Sequence, residues 1–120
     1  MRVSYAIIFV SDMKRSLMFY RDMLGLPLRF ESPGWTEFAT EGATLALHLS
    51  EGSAIAEDHQ LEPAGRCRPG LAVADLDAFH RKMEEHKVVC VQQPTMTFGA
   101  RIAQYVDPDR LVISVSEERK

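Results

Sequence analysis

His48, Arg68 and Tyr5 are the side chains whose types offer this sequence most of its chemistry. A phenol and an imidazole are acid–base groups. An imidazole with an unperturbed pKa near ~6.5 changes charge close to neutrality. His48 therefore reads either as a half-buried histidine with a backbone partner or as a group that contacts a ligand and moves a proton. Arg68 carries a planar donor fork that matches a carboxylate or a phosphate. It points to an anionic ligand or, equally, to an ion pair with Glu37 or another carboxylate. Cys67 lies between Arg66 and Arg68, a setting that lowers a thiol pKa, yet nothing nearby reads as a base that would make it a nucleophile. Cys90 falls in a β-prone run and reads as core. Asp12 and Asp75 look like acids but stand where helices begin, so they read as caps. His59, His80 and His86 read as surface.

The elements that hold these groups follow from periodicity. Arg2 to Val10 ends in an apolar run and reads as a strand. Ser11 and Asp12 then cap a helix whose stripe is Met13, Leu17, Tyr20 and Leu24. Met18 and, in part, Phe19 fall off that stripe. Gly25 follows, where a left-handed residue ends a helix. Leu28–Glu31, Trp35–Thr40 and Thr44–Leu49 read as strands separated by turn residues. Residues 50–66 form a long irregular segment of the kind that connects halves or serves function. A second cycle follows. It has a strand over Gly70–Val73, a cap at Asp75 and a helical stripe of Leu76, Phe79 and Met83. Strands come next over Val88–Val91, Ile102–Val106 and Leu111–Val115. Pro94 to Gly99 reads as a loop and Glu117 to Lys120 as a charged tail. Val10-Ser11-Asp12-Met13 precedes Val73-Ala74-Asp75-Leu76 by 63 residues, and each half reads β-α-β-β-β. The pattern predicts an internal repeat.

The totals narrow the function classes. A chain of 120 residues with 46% apolar residues, 26% charged residues and net charge −3 predicts one domain. Its organisation is a first module over 1–50, a linker over 51–66 and a second module over 67–116. Phosphate binding needs clustered Lys and Arg, and no basic block exists, so nucleic acid is not expected as a partner. No apolar run approaches the ~20 residues of a membrane span. No secretory signal is apparent, and two cysteines fit a reducing cytoplasm.

The element order, V-S-D-M-K-R-S-L-M-F-Y-R-D-M-L-G-L in the first half and V-A-D-L in the second resemble the vicinal oxygen chelate superfamily. That group includes glyoxalase I, bleomycin- and fosfomycin-resistance proteins and extradiol dioxygenases. Asp107-Pro108-Asp109-Arg110 resembles the family's D-P-D-G turn, with arginine replacing glycine and a changed backbone geometry expected there. The resemblance implies an α+β fold in which two βαβββ modules curl their mixed sheets into a half-barrel pair with helices outside, commonly as a homodimer.

The resemblance also implies where a divalent metal sits in the family's enzymes: four inward-facing side chains, mostly His and Glu. Carried over one by one, those positions fall on Tyr5, near Ala46, on Arg68 and on Ser114. None suits such an ion, and Arg68 repels it. The expectation is no metal and no cofactor.

Strand alternation completes the picture. Tyr5, Ile7 and Phe9 share one face. Ala46 and His48 share another, with Leu45, Leu47 and Leu49 opposite. Trp35 and Glu37 face the pocket if Phe38 packs under the helix. Arg68, Gly70 and Ala72, and Val112, Ser114 and Ser116, are the second module's equivalents. The ligand-binding candidates are Tyr5, Ile7, Phe9, Trp35, Glu37, His48, Arg68 and Ser114, with His48 and Tyr5 as candidates for catalysis. Mostly apolar walls with a few polar groups suit a small organic molecule, aromatic or anionic. Four functions remain open: a metal-free binding protein; a metal-dependent lyase, isomerase or dioxygenase; a metal-independent enzyme using His48 or Tyr5; and a purely structural or adaptor role, against which the expected cavity argues. The second would need a shifted register, with Glu37 or Glu31 joining His48.

Overall fold

The computed structural model describes residues 3–50, 67–97 and 99–118; the long segment with His59 and Arg66, and Arg2, lie outside the described residues. The chain divides into two compact units, Met1–Ala56 and Glu57–Lys120.

The first unit runs β1 (Tyr5–Val10), α1 (Met13–Leu17), a π-helical segment (Met18–Met23), β2 (Leu28–Glu31), β3 (Trp35–Phe38) and β4 (Thr44–Leu49). Its sheet has the order β1-β4-β3-β2, with β1 and β4 parallel and the other pairs antiparallel. Asp12 caps α1 as expected: its backbone is extended and its carboxylate accepts from the Arg15 N–H at 3.2 Å. Met13, Leu17, Tyr20 and Leu24 are all buried, so the apolar stripe meets the sheet. Phe19, partly off that stripe, is buried as well, and its ring meets Tyr20 edge-on at 5.0 Å. From here the helix widens to an i→i+5 turn in which the Leu24 N–H donates to the Phe19 carbonyl at 2.9 Å. Gly25 follows at φ 86°, the left-handed backbone a helix stop asks for.

Ser16 is fully buried on this helix, and its hydroxyl has no hydrogen-bond partner among the described residues. A buried unsatisfied hydroxyl costs roughly 1–3 kcal/mol, and alanine is the better helix former. Ser16→Ala is therefore expected to raise the unfolding free energy by about 1 kcal/mol in urea titrations; a loss of stability would contradict this reading.

The second unit runs β5 (Gly70–Val73), α2 (Leu76–Glu85), β6 (Cys90–Thr97), β7 (Ala100–Val106) and β8 (Val112–Glu117), in the sheet order β5-β8-β7-β6. Asp75 caps α2 by accepting from the Ala78 N–H at 3.0 Å, and Glu117 accepts from the Leu76 N–H at 3.0 Å. Leu76 and Met83 are fully buried against the sheet, as the stripe predicts. The helix ends with Lys87 at φ 58°, its N–H bonded to the Glu84 carbonyl and that of Val88 to Met83. Lysine fills a place usually held by glycine.

Four expectations change here. Glu117, expected to open a charged tail, is the last residue of β8, held there by parallel pairing with Val73. The strand expected over Val88–Val91 runs over Cys90–Thr97, straight through the segment read as a loop from Pro94. The strand is an edge, where a missing proline N–H costs no ladder bond, and its register shifts on either side of Gln92. His80 is not a surface histidine: its Nδ1 lies 2.8 Å from the hydroxyl of Tyr105, a fully buried residue. The Asp107–Arg110 turn keeps its left-handed residue, with Arg110 at φ 68° in the place of glycine.

Both units are βαβββ, as the repeat implied. The parallel pairs even share register: Ile7 lies opposite Ala46 in one, Gly70 opposite Ser114 in the other.

Candidate functional site

In the first sheet, alternation sorts the side chains into two faces. Ile8, Val10, Thr36, Phe38, Leu45 and Leu47 lie buried on the helix side. Tyr5, Ile7 and Phe9 are 46%, 48% and 64% exposed on the other. Register sets their neighbours: His48 stands between Phe9 on β1 and Trp35 on β3, and Ala46 between Ile7 and Glu37. Large side chains therefore surround a methyl group. Ala46 is fully buried although it lies on the open face, and the Tyr5 and Trp35 rings meet diagonally across its row at 6.3 Å.

The rings form one connected group. His48 lies 5.3 Å from Phe9 and 5.8 Å from Trp35, the second contact edge-to-face. Tyr5 and His48 thus flank Trp35. The His48 Nδ1 is 2.9 Å from the Leu49 carbonyl oxygen. A carbonyl can only accept, so Nδ1 carries the hydrogen, and in the neutral ring Nε2 keeps its lone pair.

Glu37 sits at the edge of this group with both oxygens engaged. Oε1 accepts from Arg29 Nη2 at 2.6 Å and Nε at 3.2 Å, and Oε2 accepts from the Trp35 indole N–H at 2.8 Å. The indole N–H and then the Arg29 guanidinium hold the Glu37 carboxyl below the usual carboxylate range. Arg29 Nη2 also donates to Thr44 Oγ1 at 2.8 Å, tying β2 to β4.

Arg29 was not among the sequence candidates. In a regular strand it would face away from Phe30. Leu28 pairs with Phe38 and Phe30 with Glu37, so β2 carries one extra residue and both Arg29 and Phe30 oppose Glu37. Alternation from Leu28 puts Arg29 on the open face, and the bulge brings the half-exposed Phe30 to the same face beside it. Nothing in the local composition marks it.

Six of the eight candidates, Tyr5, Ile7, Phe9, Trp35, Glu37 and His48, are thus brought together on one face. Arg68 and Ser114 belong to the second unit. Arg68 is exposed ahead of β5; Ser114 is half-buried on β8, its N–H bonded to the Pro69 carbonyl at 2.9 Å. Ser114, Ser116, Gly70 and Ala72 give that sheet a face of small and polar groups. Tyr105 and Cys90 lie elsewhere in the unit. Burial pushes the Tyr105 hydroxyl far above the usual phenol range and raises the Cys90 thiol, so neither is poised to react.

The glyoxalase/bleomycin resistance protein/dioxygenase superfamily model matches residues 2–115. The chain belongs to that superfamily. A structure of a protein of unknown function from Agrobacterium tumefaciens is similar at 31% identity and TM-score 0.76, covering 99% of this chain and 95% of that one. TnmS3, an antibiotic binding protein from a Streptomyces strain, is similar at 27% identity and TM-score 0.74, covering 99% and 97%. The uncharacterized protein YraH of Bacillus subtilis is 26% identical, over 90% of this chain and 91% of its own.

Superfamily enzymes imply a divalent metal, and the donors that each unit offers at the carried-over positions do not suit one. In the first unit these are a phenol and a methyl group at Tyr5 and Ala46; in the second unit, taken by itself, they are a guanidinium and a hydroxyl at Arg68 and Ser114. Hard or borderline divalent ions take carboxylate or imidazole ligands. A shifted register does not repair the set. Glu31 pairs with Thr36, whose side chain is buried on the helix face, away from His48, and Glu37 already holds a cation. Among the described residues no three His, Cys, Asp or Glu side chains are grouped as metal ligands.

Proposed function

We propose that this superfamily member is a binding protein that holds a small planar organic molecule on the aromatic face of its first unit, with no divalent ion at the ancestral position. The observation that carries the reading is the ring group of Tyr5, Trp35, His48 and Phe9, joined by contacts of 5.3–6.3 Å on an open face. Exposed apolar side chains gathered this way mark ligand sites or interfaces rather than ordinary surface. Aromatic rings bind flat guests through offset and edge-on packing.

The polar groups support a guest that is uncharged or anionic. The carboxylate on the face is already paired with Arg29, so a cationic guest gains no unpaired counter-charge. His48 Nε2 accepts one hydrogen bond from a donor on the guest. On the second unit, considered by itself, Arg68 and Ser114 are proposed as ligand contacts of that unit's own sheet face, the arginine for an anionic group. TnmS3, at 27% identity over nearly its whole length, lends support as a binding protein of this fold. A homodimer working in the cytoplasm completes the reading; the free Cys67 and Cys90 suit a reducing compartment.

Trp35 is the chain's single tryptophan, so its emission reports on the site alone. Titration with planar aromatic compounds of different charge is expected to quench that emission saturably for uncharged and anionic members. Quenching by cationic members alone would overturn the charge argument, and no saturable response across the set would overturn the site.

A further inference from the structure

We infer that Arg29 is a positioning residue for the ligand face: by clamping Glu37 it fixes the edge of the Trp35 indole, so that guests are selected by stacking rather than by hydrogen bonding to the indole N–H. The inference rests on the binding reading above, and it names the selection rule of that site.

The geometry joins four side chains on three strands: Arg29, Glu37, Trp35 and Thr44. Arg29 stands at the β2 bulge and reaches both Glu37 on β3 and Thr44 on β4. Bonds from Nε and Nη2 to partners on two strands leave the guanidinium little freedom. Its two bonds converge on Oε1 and anchor that oxygen, and with Oε1 held the other oxygen, Oε2, accepts from Trp35 Nε1 2.8 Å away. The indole is thereby held with its N–H consumed. His48 meets the indole edge-to-face at 5.8 Å, an interplanar angle of 86°, which fixes the ring from a second side. A guest that needs an N–H donor from the indole must break a charge-assisted bond first. A guest that offers only a π face breaks nothing. Preorganisation of this kind raises affinity by removing the cost of ordering side chains on binding.

The charged and titratable groups around Glu37 are Arg29 on β2, His48 on β4 and Tyr5 on β1; Trp35 shares its strand. Because the carboxyl is held below its ordinary range, the clamp is present above the unfolded pKa of a glutamate. It is lost as pH falls through the lower folded value.

The test reads ligand-free protein and complex separately. Trp35 emission is followed through an acid titration in a His48→Gln background, which removes the imidazole next to the indole. The acid step is expected below the ordinary glutamate range, and Arg29→Ala is expected to raise its midpoint by about one pH unit. Glu37→Gln is expected to abolish the step. In the wild-type background, aminoanthracene, an uncharged planar probe, is expected to bind Arg29→Ala about tenfold more weakly. Arg29→Lys is expected to restore the charge without the two-point clamp, recovering the midpoint but not the affinity. An unmoved midpoint in Arg29→Ala would overturn the positioning role whether or not any probe binds. A moved midpoint with unchanged aminoanthracene affinity would overturn the selection rule while leaving the binding site standing. Circular dichroism shows whether each variant keeps its sheet.

Discussion

Asp107→Ala is expected to lower the unfolding free energy by about 3 kcal/mol, with a fall in Tm of roughly 10 °C for a chain of this size. Asp107 is 4% exposed, and a single oxygen, Oδ1, accepts from the Asp109 N–H at 2.9 Å and from the Leu111 N–H at 2.7 Å. Its backbone accepts from the Arg110 N–H and donates to the Leu111 carbonyl. The side chain thus satisfies donors that no strand reaches, at the point where β7 turns back into β8. Truncation leaves two backbone N–H groups without their charged acceptor, and Arg110 stays in a left-handed backbone that costs a non-glycine residue about 1 kcal/mol. Asp107→Asn keeps the acceptor oxygen and loses only its charge, so about half the loss is expected. Urea titration at neutral pH measures both. Equal stability of Asp107→Ala and the parent chain would mean the turn is held by other means.

Trp35→Ala is expected to weaken a planar aromatic guest by about 2 kcal/mol, roughly thirtyfold. Trp35 touches Tyr5 on one side and His48 on the other, so its removal opens the middle of the ring group and leaves Oε2 of Glu37 without its donor. Trp35→Phe restores a flat ring but not the N–H that Glu37 holds, and is expected to recover only part of the affinity, binding about tenfold more weakly than the parent, as Arg29→Ala does. Because both variants lack the indole, their affinities are read from probe fluorescence or calorimetry. Equal affinity of Trp35→Ala and the parent would place the guest elsewhere.

Much of this architecture is legible from residues alone. The caps at Asp12 and Asp75 work because a short carboxylate reaches the N–H three residues on, a purely local geometry. The face assignments of β1, β3 and β4 follow from a period of two, and six ligand candidates fall on one face for that reason. Two of the features that were not legible share a cause, a departure from the regular period. The β2 bulge leaves Arg29 and Phe30 both opposite Glu37. Register shifts around Gln92 accompany β6 through Pro94 on an open edge. The His80–Tyr105 contact has a different cause, because it joins residues 25 apart on a helix and a strand. The Asp107–Arg110 turn shows the converse. Arginine in place of glycine suggested a changed backbone, but Oδ1 of Asp107 and the backbone bonds hold the residue left-handed.

A phenol and a methyl group in the first unit, and a guanidinium and a hydroxyl in the second, stand where the resemblance implies metal ligands, and the proposal that this chain binds its guest without a divalent ion rests on their chemistry. The most direct test is a titration of Trp35 emission with aminoanthracene before and after exhaustive treatment with a chelator. Saturable quenching with the same Kd in both preparations, and no stoichiometric zinc, nickel, iron or manganese released, is the predicted result. Binding that disappears with the metal and returns when it is added back would contradict it.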